Sequence, residues 1–152
     1  LALVTLLRAR DRGLPLPAAA VLLSPWTDLT ASGVSVQTNR KRDPMLPAHR
    51  IEEAARMYAG NAELDDPDVS PLFANLLGLP ALAIHVGSTE VLLDDSHRLA
   101  DRAREHGVDV DLTTWHRMPH VFPMFADFIP EGRRAIDAIA AFVAARLEAA
   151  MQ

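Results

Sequence analysis

An α/β fold, with parallel strands and helices on both faces, is what the sequence predicts, on three observations. Short continuous apolar runs closed by turn residues read as buried strands. Segments with apolar residues at helical spacing lie between those runs. The residue types that carry chemistry fall just after the runs, where a parallel sheet gathers its loops.

The elements follow in order. Leu1, Val4, Leu6 and Leu7 share one side of a helix that runs through Arg10 and is stopped by Gly13, with Pro15 beyond. Residues 18–23, between Pro17 and Ser24-Pro25, are apolar on both faces and too short for an independent helix, so they read as a strand. Residues 29–47, rich in Ser, Thr, Asn, Arg and Pro, are too long for a simple connection and are expected to form a lid-side or binding loop. A helix is expected over 47–58, ending at Gly60, and a second strand over 81–86, closed by Gly87-Ser88. The next helix, over 96–106, has Asp94 or Asp95 as its N-cap and Gly107 as its stop. A weaker, alternating third strand spans 108–115. The last helix, over 130–149, carries Ile136, Ile139, Ala140, Val143 and Leu147 on a stripe expected to face the sheet.

Composition excludes several classes. The 152 residues are 49% hydrophobic and 23% charged, the balance of an ordinary globular domain. A net charge of -5, with no basic block longer than Arg40-Lys41-Arg42, argues against a nucleic-acid partner. Without cysteine there is no disulfide framework, thiolate metal site or Cys nucleophile, which suits the cytoplasm. The longest apolar stretches fall well short of the roughly 20 residues that cross a bilayer. No leader pattern opens the chain, which begins on Leu1 in what reads as the middle of a helix, so further polypeptide is expected upstream.

The chemistry gathers after the three runs: Ser24 to Asp28, then Ser88 to Ser96 with Glu90, Asp94 and Asp95, then His116 to Phe122 with His116 and His120. Neighbouring parallel strands bring their C-terminal loops together, so a carboxylate after one strand and a histidine after the next can meet. An acid that fixes the tautomer of a base is what serine hydrolysis requires. On the residues alone, Glu90 and Asp94 compete as the acid, and His116 rivals His120. His85 sits inside a strand, while His97 and His106 belong to a helix. Asp94 and Asp95 also suit a helix start, and the acidic run offers no metal-ligand spacing. Trp26, Met118, Phe122, Met124 and Phe125 are candidate walls for an apolar pocket.

Leu-Ser-Pro-Trp-Thr-Asp-Leu-Thr at 23–30, Val-Ser-Pro-Leu-Phe-Ala at 69–74, Gly-Leu-Pro-Ala-Leu-Ala-Ile-His-Val-Gly-Ser at 78–88 and His-Val-Phe at 120–122 together resemble the C-terminal portion of bacterial hormone-sensitive-lipase-like carboxylesterases, of the α/β-hydrolase superfamily. The resemblance covers essentially the whole chain. It implies the C-terminal part of a single α/β-hydrolase domain, over 1–152, and a cofactor-free carboxylesterase that works through an acyl-enzyme. It places the triad acid on Glu90 and the catalytic base on His120. The family's nucleophile motif and oxyanion loop would precede Leu1. None of Ser24, Ser32, Ser35, Ser70, Ser88 or Ser96 stands in a Gly-x-Ser-x-Gly context. The chain alone is therefore expected to lack activity, and to be unstable with one edge of its first strand unpaired.

The expected partner is a small-molecule ester, a lactone being a variant of the same chemistry. A non-catalytic doubly wound binding module and a dimerisation domain are the readings from other classes. A homodimer through the last strand and helix is what the resemblance implies. Size-exclusion chromatography at several concentrations is expected to show it, and a monomer throughout would count against it.

Overall fold

The computed structural model describes residues 1–151. In chain order the elements are α1 (Ala2–Asp11), β1 (Ala19–Leu23), α2 (Ser35–Thr38), α3 (Ile51–Ala59), β2 (Ala81–Gly87), α4 (Leu93–Glu105), β3 (Val110–Trp115) and α5 (Pro130–Ala150). Short 3-10 turns occupy Ala48–Arg50, Pro71–Phe73 and Phe122–Phe125. The strands form one parallel sheet in the order β1-β2-β3.

Register decides which side chains share a face. Leu22 of β1 stands beside Ile84 of β2, which stands beside Leu112 of β3. Leu22, Leu82 and Ile84 are buried in one cluster with Leu99, Ala100 and Ala103 of α4 and Leu3 and Leu7 of α1. Strand alternation sends Ala83 and His85 to the other face. There α5 crosses β1 and β2. β2 is therefore covered on both sides, and all its residues from Leu82 to Gly87 are buried.

The helix stops are physical. After α4, the Gly107 N–H donates to the Arg104 carbonyl and the Val108 N–H to the Ala103 carbonyl, with Gly107 in the left-handed region at φ 76°. That is a Schellman closure, and Val108 and Ala103 are both buried in the main apolar cluster. α1 ends the same way at Gly13. Because Val108 is used in this closure, β3 starts at Val110 and not at Val108.

Two expectations are corrected. α4 begins at Leu93, with Leu92 in the N-cap position and no side-chain cap, so Asp94 and Asp95 lie within the first turn and cap nothing as N-cap residues. Their carboxylates are drawn instead to other parts of the chain. In α5 the stripe is rotated: Ile136 and Leu147 are 47% and 52% exposed, while Gly132 and Ala135 are buried and Ile139 and Val143 half-buried. The small residues let the start of α5 lie close against the Phe122–Phe125 turn, where an ideal Cβ on Gly132 would stand 2.8 Å from the Ala126 Cα. Among the described residues no helix is long and apolar enough to cross a membrane.

The rotation of α5 has a stability signature. Ile136→Gln and Leu147→Gln are expected to change the unfolding free energy by no more than about 0.5 kcal/mol. Ala135→Gln, which forces a polar side chain into a filled site, is expected to cost about 2 kcal/mol or more. Urea denaturation of the three variants checks this, and the reverse ranking would restore the stripe read from the sequence.

Candidate active site

The loops that follow the three strands meet at the carboxyl edge of the sheet, and a single carboxylate joins them. Glu90, in the turn after β2, is 0% exposed. Its Oε1 accepts hydrogen bonds from the Ser24 hydroxyl, at 2.7 Å, and from the Gly87 N–H. Its Oε2 lies 2.9 Å from Nδ1 of His120, in the loop after β3. A carboxylate accepts, so Nδ1 is the donor of this bond, and Nε2 takes no part in the pair.

The two loops are stitched together at several further points. The Ser88 N–H donates to the Trp115 carbonyl at 2.9 Å, the Thr89 hydroxyl to the Met118 carbonyl at 2.8 Å, and the Arg117 N–H to the Ser88 hydroxyl at 2.8 Å. Gly87 permits this approach, because a Cβ there would stand 2.0 Å from the Met118 carbonyl oxygen.

His120 lines an open cleft of about 380 Å³ together with Leu1, Trp26, Leu29, Leu46, Tyr58 and Leu92. Leu92 belongs to a second apolar cluster with Ile51 and Val91, against which Trp26 and Leu46 pack. Of the five candidate pocket walls, only Trp26 is among the residues lining this cleft. Phe122 is fully buried with its ring 5.3 Å from that of Trp115, and Met124 and Phe125 are exposed on the turn that leads away.

The rival residues are otherwise engaged. His116 is exposed. His85 is buried, its Nδ1 accepting the Trp115 indole N–H at 3.0 Å. His97 Nε2 pairs with the Thr114 hydroxyl at 2.9 Å, on the opposite face of the sheet. Asp94 accepts the Ser35 N–H at 2.9 Å, and Asp95 accepts the Thr27 and Asp28 N–H groups, each at 2.8 Å. The structure thus brings Glu90 and His120 together and directs Asp94 and Asp95 elsewhere.

Residues 1–124 match the family described as the alpha/beta hydrolase fold. The chain belongs to that family. It is 41% identical over 143 residues to an acetyl-hydrolase of Streptomyces hygroscopicus, a match that covers 94% of this chain and 48% of that protein. An esterase of Acinetobacter venetianus is 36% identical over 143 residues, covering 93% and 47%. Among solved structures, an esterase from the bacterial hormone-sensitive lipase family superposes with a TM-score of 0.90 at 45% identity, covering 93% of this chain and 48% of that one. A hormone-sensitive lipase from a metagenome library gives 0.91 at 41%, covering 94% and 49%. The chain spans about half the length of the curated relatives it matches.

In this α/β-hydrolase chain the segment expected as a lid-side or binding loop does two things. Leu46 reaches the cleft, while earlier residues clamp the acidic turn. Asn39 Nδ2 donates to the Glu90 carbonyl at 2.8 Å, and Asp43 accepts the Val91 N–H at 2.9 Å. Ser35 donates its hydroxyl to the Val91 carbonyl at 2.7 Å. Sequence reasoning missed Asn39, Asp43 and Ser35 as supports. Their polar type in a connection too long to be simple was the available signal.

Asp28 and Asp95 are buried as well. Burial pushes the Asp95 carboxyl up to about 6, against the opposing pull of the two backbone N–H groups it accepts from. Burial acts on Asp28 in the same sense, but hydrogen bonds from Ser32, Thr30 and Arg98 together outweigh it and hold Asp28 below the usual carboxylate range. Arg98 Nη1 stands 2.8 Å from Asp28. Burial likewise drives the His85 imidazole down, with the negative charge of Asp111 pulling weakly the other way.

The raised Asp95 gives a testable pH dependence. Unfolded, an Asp titrates near about 3.9, so between about pH 4 and 6 the folded state holds a proton that the unfolded chain has released. That contribution is fully present below the unfolded value and is lost as pH rises towards 6. Asp95→Asn cannot ionise, and its side-chain oxygen can still accept both N–H bonds. The stability difference between wild type and Asp95→Asn, from urea midpoints at pH 4, 5, 6 and 7, is expected to shift against the wild type across this range and then level off. A difference that does not vary with pH would contradict it.

Proposed function

We propose that this chain supplies the general base and the orienting acid of a carboxylic ester hydrolase of the Ser-His-acid type. The carrying observation is the 2.9 Å pairing of His120 Nδ1 with a fully buried Glu90, on a ring that borders an apolar cleft. That arrangement fixes one tautomer and leaves Nε2 to exchange protons with a nucleophile and a leaving group. The acetyl-hydrolase and esterase names carried by similar proteins support the same chemistry.

The serine is assigned to polypeptide that enters α1, since Leu1 borders the same cleft as His120. Ser24 is the hydroxyl bonded to the pair within this chain, but it is buried and committed to Glu90 and to the Val121 N–H. It stands on the acid's side of the imidazole, not at Nε2. In the proposed sequence His120 Nε2 takes the serine proton as the hydroxyl attacks the acyl carbonyl, and delivers it to the departing alcohol. It then activates water to release the acid from the acyl-enzyme, while Glu90 stabilises the imidazolium throughout. Residues 1–152 would then be the C-terminal part of one α/β-hydrolase domain.

The test uses the full-length protein and a chromogenic short-chain ester. His120→Ala and Glu90→Gln are each expected to lower kcat by about 10⁴-fold, whereas His116→Ala stays within about twofold of wild type. Wild-type turnover by His120→Ala would refute the assignment.

A further inference from the structure

We infer that Ser24 is a positioning residue, whose hydroxyl sets the geometry of the acid and the base at once; this rests on the ester-hydrolase reading above. Ser24 immediately follows β1, with its N–H bonded to the His85 carbonyl at 2.8 Å. Its hydroxyl donates to Glu90 Oε1 at 2.7 Å and accepts the Val121 N–H at 3.0 Å. One oxygen atom therefore connects all three crossover loops: its own after β1, the acid's after β2, and the base's after β3.

Backbone strain marks the same spot. Ser24 and Val121 are both left-handed, at φ 49° and 45°. Neither residue type favours that region, and a β-branched valine least of all. Such conformations persist where surrounding contacts over-determine them. Here the two strained residues bond directly to each other, and Val121 is the immediate neighbour of His120. Holding the Val121 amide fixes the backbone from which the imidazole projects. Donating to Oε1 turns the carboxylate so that Oε2 faces Nδ1.

Ser24 borders the cleft beside His120, but its hydroxyl is committed to Glu90 and the Val121 N–H and not to the nitrogen that would accept a proton in the proposed reaction. Its loss should therefore act chiefly by misplacing the base. A displacement of the order of 1 Å at a reacting group costs up to about 10²-fold in rate.

The full-length protein with Ser24→Gly, Ser24→Ala or Ser24→Cys tests this through ester kinetics, Tm and the low-field Nδ1–H proton resonance of His120, identified by its loss in His120→Ala. Glycine is at ease at this φ, so Ser24→Gly should keep Tm within about 5 °C of wild type. Its kcat should still fall about 10- to 100-fold, with KM within about twofold and the resonance broadened. Ser24→Cys keeps a weaker donor and should give a kcat between those of the glycine variant and the wild type. Wild-type kcat and resonance in Ser24→Gly overturn the inference. So does activity lost only in step with Tm across the series, or, where the glycine variant fails to fold, a Cys variant no more active than Ser24→Ala. A wild-type protein without esterase activity defeats the ester-hydrolase reading instead, and the resonance then decides whether Ser24 positions the pair.

Discussion

A buried negative charge organises this chain. An ionised carboxylate removed from water costs several kcal/mol unless donors replace the water it lost. Glu90 has no exposed surface, and its donors are the Ser24 hydroxyl, the Gly87 N–H and the His120 imidazole. Two of these come from loops distant in sequence. The carboxylate can therefore be accommodated only when all three crossovers are in place, and the edge of the sheet closes as a unit.

The parallel register makes that closure possible. Leu23, His85 and Thr113 lie side by side, so the residues just beyond them leave the sheet at neighbouring points. A histidine and an acid separated by 30 positions, and a serine 66 positions from the acid, come within hydrogen-bonding distance because each stands a few residues past the end of its strand. Asp28 and Asp95 are held in the same manner: the first is stabilised by Arg98 and two hydroxyls, the second by the backbone of the loop after β1.

The strands and the helix stops at Gly13 and Gly107 were legible because they rest on local physics, namely continuous apolar runs and the left-handed tolerance of glycine. The pairing of Glu90 with His120 was legible from chain order and resemblance; spacing alone had left Asp94 and His116 as competitors. Other features depend on what the chain meets after folding. Asp94 and Asp95 look like helix caps, yet they reach Ser35 and Thr27, which lie nearly 60 and 70 positions away. The buried face of α5 departs from its apolar stripe because Gly132 and Ala135, weak in any count of apolar residues, are the ones small enough to come close. Ser24 stands in the segment singled out after the first apolar run, yet its bonds to Glu90 and Val121 are set only by the folded chain.

The connection between β1 and β2 divides its labour along its length. Ser35, Asn39 and Asp43 grip the turn that bears Glu90, whereas Trp26 and Leu29 before them and Leu46, Tyr58 and Val69 after them border the cleft. Ser24 belongs to both sets, bonding Glu90 and bordering the cleft. The stretch beyond Asp43 can therefore change in length or composition, reshaping what the hollow admits, without touching the bonds that hold the Glu90 turn.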